Sequence, residues 1–176
     1  MNEALRGFPA TGWFTACGLP LEPSDLADAR AYLDALGVHA SVRVEPVASW
    51  THAERLIRNP AWDVYWWERE EVQRRSLMEA CVRRLGEAKA METLSLGVGV
   101  EHDIIHAAAT NAAARHGVTD QALVRAAAGA AAMVAHARAL ARLAQAPEDH
   151  LFMRKYALFE GGRWPLGIVS GAFHLF

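Results

Sequence analysis

The stretch 101–146 constrains this chain more than any other, because 19 of its 46 residues are alanine and, of its two glycines, Gly117 falls between two long helix-favouring runs. Alanine has the highest intrinsic helix propensity, and no proline falls within 101–146 to break the pattern. Immediately after Gly117, the string Val118-Thr119-Asp120 supplies a restart signal, with Thr119 expected as the capping residue and an acid in the first turn. Two long helices joined by a very short turn must lie antiparallel, and their small side chains permit close approach. The alanine tract is therefore read as a helical hairpin and not as a disordered linker.

The rest of the chain is read around that hairpin. Residues 61–85 contain neither Gly nor Pro, and Met78, Cys81, Val82 and Leu85 recur at helical spacing before Gly86, which predicts another long helix. In 91–100 a period of two competes with a period of 3.6, and continuity with the helix that follows favours helix. Upstream, Trp13, Phe14 and Ala16 read as the start of a strand, and Ser24-Asp25 as the cap of a helix whose Leu26, Ala29, Leu33 and Leu36 share a face. Val42 and Val44 alternate with polar residues as a short strand, and Thr51 with Glu54 has the form of a capping box opening a short helix ended by Asn59-Pro60. Downstream, 150–159 reads as a short helix, and the apolar residues either side of Ser170-Gly171 as a terminal hairpin. The expected fold is mostly α. It is an antiparallel helical bundle over 50–160, with a mixed α/β segment over 1–49 and a C-terminal β-hairpin over 161–176, in one domain of 176 residues.

Charge narrows the function classes. Eighteen bases against 20 acids give a net charge of −2, which lacks the basic footprint of a nucleic-acid binder, so nucleic acid is not expected as a partner. No apolar run reaches the length of a membrane span, and no membrane association is expected. Cys17 and Cys81 fit no metal-knuckle or redox spacing and read as two reduced thiols. With Glu3 and Arg6 in place of an apolar signal core, the expected location is the cytoplasm. Only Lys89 and Lys155 among the bases are lysine.

A candidate site emerges from placing residues on helix faces. His102, His106 and His116 share a face with Ala109 and Ala113, and His136 sits on the next helix in a row with Gly129, Met133, Leu140 and Leu143. A hairpin turning at 117–118 sets His102 level with Met133 and one turn short of His136. The same reasoning at the preceding turn sets Glu70 level with His106, on a row where Glu71 and Arg74 also continue the apolar stripe. Imidazoles one turn apart reach a single ion, so His102, His106 and His136, with Glu70 or Glu71 as ligand or general base, form a candidate site for Zn, Fe or Mn. Against it, a chain with eight histidines produces such spacings by chance, Glu71 can pair with Arg74 or Arg75 within its own helix, and His136 can be a satisfied core histidine. The cluster Trp62, Tyr65, Trp66, Trp67 reads more readily as core than as a ligand platform, and Arg163 as a surface arginine more readily than as an anion site.

Two function classes follow. The first is a helical accessory or interaction protein, its partners another protein or a second copy of itself, with room for a small-molecule ligand. The alternative is a metal-dependent helical protein or enzyme in which a His/Glu site activates water or a substrate oxygen.

Overall fold

The computed structural model describes residues 12–176, and for residues 96–100 the backbone alone. The segment 1–11, on which the absence of an export signal was read, lies outside the described residues. In chain order the elements are α1 (Pro23–Ala35), β1 (Arg43–Pro46), α2 (Trp50–Ile57), α3 (Val64–Leu85), α4 (Glu87–Arg115), α5 (Gln121–Leu143), α6 (Leu151–Glu160), β2 (Pro165–Val169) and β3 (Ala172–Leu175). The protein is mostly α, as the sequence predicts, with a small sheet at its C-terminal end.

The helical hairpin forms as α4 and α5, packed along one another through Ile105, Ala109, Ala112 and Ala113 on one side and Leu123, Val124, Ala127 and Ala131 on the other, all buried. Asp120, and not Thr119, caps α5: its side-chain oxygen accepts from the Ala122 and Leu123 amides, two of the donors a helix start leaves free. The ambiguous stretch 91–100 is helix throughout, absorbed into the 29-residue α4. Of the α5 row named above, Leu140 and Leu143 are buried, while Gly129 and Met133 face outward, so that row does not form the contact with α4. The alanines on either side of it do.

Capping differs from expectation at two other helices for the same reason, that several polar residues compete for each start. Glu22 caps α1 through a reciprocal box with Asp25, with Pro23 in the first turn, in place of Ser24. Ser49, and not Thr51, caps α2 by accepting from the His52 amide. In α1, Ala29 and Leu33 are buried while Leu26 is partly exposed. Residues 13–19 are turns and not a strand, with Trp13, Phe14 and Cys17 buried against the C-terminal end of α6 and the segment after it.

The terminal hairpin forms at the expected place. Ser170 and Gly171 both have positive φ, 49° and 79°, the geometry that matches a two-residue turn to the twist of its strands. The sheet order is β1-β3-β2, and β1 pairs with β3 in parallel, Val44 opposite Phe173. The α/β segment and the hairpin, separate in the sequence reading, are thus one sheet. All nine residues of β2 and β3 are buried. The start of α3 is tied to that sheet: Trp62 bridges to Val169, and the Asp63 amide donates to the Ile168 carbonyl at 2.8 Å. Among the described residues, no helix is long and apolar enough to cross a membrane.

Candidate functional site

The structure separates the residues that the sequence brings together as one site. His102 and His136 line the same narrow crevice between α4 and α5, with Glu101 and Ile105 beside them. His106 stacks on His102, ring centroids 6.4 Å apart. The acids are elsewhere: Glu70 and Glu71 do not line that crevice. Glu71 is partly exposed and paired with Arg74, whose Nε and Nη2 donate to its Oε2 at 3.1 and 2.9 Å. Among the described residues, no group of three His, Cys, Asp or Glu side chains is arranged to hold a metal ion. Burial, reinforced by the nearby Arg74 charge, pushes the His136 pKa down, which keeps that imidazole neutral near pH 7. Glu101 at the same crevice is 7% exposed, one of its oxygens has no partner among the described residues, and burial pushes its pKa up to about 7 against the opposing charge of Arg138.

Glu70 belongs to a different site. It is 2% exposed on the inward row of α3, and its Oε1 accepts from the Tyr32 hydroxyl of α1 at 2.6 Å and from the Lys155 ammonium of α6 at 2.7 Å. Arg74, one turn along α3, places Nη1 3.6 Å from the other oxygen. The largely buried side chains of Glu70, Arg74 and Lys155 form the polar floor of an open cavity of about 310 Å³ lined mainly by residues of α3, α5, α6 and β2. Its walls are apolar: Trp62, Trp66 and Trp67 on one side, Ala130, Met133 and Val134 on another, with Leu166 of β2 closing the third. A volume near 300 Å³ lined by aromatic residues around a few polar groups is the common form of a small-molecule site.

Local sequence explains each wall. Asp63 accepts from the Tyr65 amide and starts α3. Trp62 and Trp66 lie four residues apart, so they meet edge to face at a centroid distance of 5.4 Å. Trp62 donates its indole N–H to the Leu166 carbonyl at 3.1 Å, which fixes the pair on β2. Gly167 makes that contact possible. A Cβ there would lie 2.8 Å from Trp62 Nε1 and 3.0 Å from the Trp66 ring, and its φ of 114° disfavours any side chain.

The hydrogen-bond inventory of the floor is lopsided. Glu70 Oε1 accepts two hydrogen bonds, whereas the Lys155 ammonium, with three N–H groups, has Glu70 as its one oxygen partner among the described residues. Its other neighbours are aromatic faces, Trp66 at 4.4 Å and Tyr32 at 5.7 Å. Burial pushes the Lys155 pKa down and Glu70 opposes that shift; burial first, then the Glu70 charge, raises the Tyr32 hydroxyl well above its usual range. The Trp66 indole N–H, turned toward the Tyr32 hydroxyl, has no hydrogen-bond partner among the described residues. Unused donors thus gather at Lys155 and Trp66, while the second Glu70 oxygen faces the Arg74 guanidinium at 3.6 Å.

A larger groove of about 560 Å³ shares Trp62 and Trp66 with this cavity and is lined also by His39, Asp63, Tyr65 and Arg69. It contains no buried charged group, and Arg69 is exposed and donates to the Gly37 carbonyl. The smaller cavity is the better candidate on chemistry.

Sequence reasoning found Glu70 by its row and missed Lys155. The signal for Lys155 was present: it is one of two lysines in the chain, and it follows Leu151, Phe152 and Met153 and precedes Tyr156 in an otherwise apolar helix. The tryptophan cluster reads from sequence as core, and Trp66 is buried, yet Trp67 is 40% exposed at the cavity.

No family model matches the chain, and neither a curated protein nor a solved structure matches it.

Proposed function

We infer that this protein is a small-molecule-binding accessory protein, and that its ligand is a planar apolar molecule carrying a hydrogen-bond-accepting group, a carboxylate or a carbonyl. The single observation behind this reading is the Lys155 ammonium. A desolvated cation with unused N–H donors is costly unless something supplies acceptors, and here it stands at the wall of an apolar cavity. A ligand oxygen at the floor would satisfy Lys155 and the Arg74 Nη1, while the indole walls would stack on a ring of one or two fused cycles. A cationic ligand is disfavoured, because Lys155 already occupies the face of Trp66. Metal-assisted chemistry at His102, His106 and His136 has less support than ligand binding, since the acids assigned to it are engaged at the cavity and with Arg74.

The test is a titration of protein labelled with ¹⁵N at the indole nitrogens of its six tryptophans with three probes that share one ring: 2-naphthoate, naphthalene, and the corresponding naphthylmethyl trimethylammonium. The expected result is saturable shifts of the Trp66 and Trp67 resonances with 2-naphthoate, weaker shifts with naphthalene and none with the cation. Equal response to naphthoate and the cation, or no saturable shift at all, overturns the reading.

A further inference from the structure

Resting on the ligand-binding reading above, we propose that Lys155 captures an aldehyde or ketone group of a cavity ligand as an imine, with Glu70 receiving and returning the protons. The lysine amine is the one nucleophile on the cavity floor, and it stands 2.7 Å from a carboxylate oxygen placed to take its proton. Its remaining neighbours, the Trp66 and Tyr32 rings, have no lone pair that competes for that amine. Tyr32 and Arg74 hold Glu70 from its other directions, so the carboxylate stays in place when the proton moves. Burial favours the neutral amine and outweighs the Glu70 charge that holds the proton on nitrogen, with Arg74 adding a smaller push toward the neutral form, which supports the geometry without being needed for it.

The step balances without an outside oxidant or reductant. Glu70 takes one ammonium proton, and the freed lone pair on Nζ forms the C–N bond as the carbonyl π pair moves onto oxygen. Two of the three ammonium hydrogens reach that oxygen by way of Glu70. The C–O bond then breaks, water departs, and the nitrogen lone pair completes the C=N bond with one hydrogen kept on the iminium. The positive charge is conserved on nitrogen, so the ion pair with Glu70 persists in the product and the burial of both groups is not disturbed.

The chain provides its own control. Lys89 lies on the surface, 63% exposed and paired with Glu92, and with Lys155 it completes the set of lysines. The experiment treats the full chain with 2-naphthaldehyde and cyanoborohydride, which fixes any imine as a secondary amine, and maps the adduct by peptide mass spectrometry. The expected outcome is modification of Lys155 over Lys89 by about tenfold or more, the reverse of their exposure, as a desolvated amine favours. Lys155→Arg, which keeps the charge and removes the nucleophile, should lose the cavity adduct while Lys89 is still modified. Glu70→Gln should slow trapping at Lys155 by about a hundredfold or more, the usual scale for a lost proton acceptor. If either variant fails to fold, the map of the unmodified chain decides alone. Adducts confined to Lys89 and the N-terminal amine, with naphthoate still binding, overturn the imine and leave the cavity reading intact. Neither adduct nor naphthoate binding removes both.

Discussion

Arg163 and Asp25, 138 residues apart, are joined by two hydrogen bonds, Nε to Oδ2 at 3.1 Å and Nη2 to the same oxygen at 2.7 Å. Arg163 is 2% exposed, so it is not the surface arginine the sequence suggests, and its remaining donors go to the carbonyls of Ala16, Leu19 and Pro20. One side chain thus ties the segment between α6 and β2 to the turns of the N-terminal region and to the first turn of α1. Lysine cannot reproduce that fork. Arg163→Lys should cost about 3–5 kcal/mol and Asp25→Ala about 2–4 kcal/mol in urea unfolding, as expected for breaking a buried charged network. A cost below 1 kcal/mol for Arg163→Lys would show that the network does not hold these segments.

The Glu70–Lys155 pair makes a separate stability prediction. Lys155→Met strands a buried carboxylate and should destabilise the fold by about 3–5 kcal/mol, and Glu70→Gln by less, because the amide still accepts from Tyr32 and Lys155. The double variant should be more stable than the sum of the single effects predicts, with a coupling of about 1–3 kcal/mol. Strict additivity would contradict the contact.

Glu101 sets a pH dependence whose sign is fixed by the direction of its shift. Its pKa rises from 4.5 to about 7 on folding, so between those values the folded chain binds more protons than the unfolded one, and stability falls as pH rises. Glu101→Gln removes that loss. It should raise stability above pH 7 by on the order of 2–3 kcal/mol, with little effect at pH 4.5, read from denaturation at several pH values. His136 works in the opposite sense, since its lowered pKa withdraws stability as pH falls below about 6.5. A variant Glu101→Gln with an unchanged pH profile would show that the carboxyl is not desolvated.

For the histidines the expected outcome is the absence of a structural ion. His102 is 56% exposed and its stack with His106 stands at the edge of the α4–α5 contact, so His102→Ala should move the melting temperature by no more than about 2 °C, the scale of surface substitutions. Chelation should leave melting unchanged. A stoichiometric metal in protein purified without chelators, lost in both His102→Ala and His106→Ala, would return these residues to a functional role.

Gly167→Ala tests the seat of the tryptophan wall. With a Cβ 2.8 Å from Trp62 Nε1 and a φ of 114°, the substitution should cost about 2–4 kcal/mol and weaken naphthoate binding together with stability. Wild-type stability and binding would mean that the wall is not held at this point.

Some of these features could be read directly from the chain. Cys81 is fully buried on its stripe, the α4–α5 turn falls at Gly117, and the hairpin turns at Ser170-Gly171, because each depends on residues within one or two turns of one another. The candidate site was legible in part. Glu70 betrayed itself as an acid on an inward row, while its partners Tyr32 and Lys155 lie 38 and 85 residues away and leave no spacing to find.

Sequence alone, then, determined the helices, the tight turn between α4 and α5 and the terminal hairpin, since alanine propensity, polar starts and positive-φ turn residues act locally. Tertiary structure decided the parallel pairing of β1 with β3, the burial of Arg163 and Lys155, and the turn of Glu70 away from the histidines. The physical reason is one of partners. Backbone pairing of β1 with β3 carries no side-chain code, and a charged group can be buried only where distant parts of the chain converge to supply its counter-charge and hydrogen bonds.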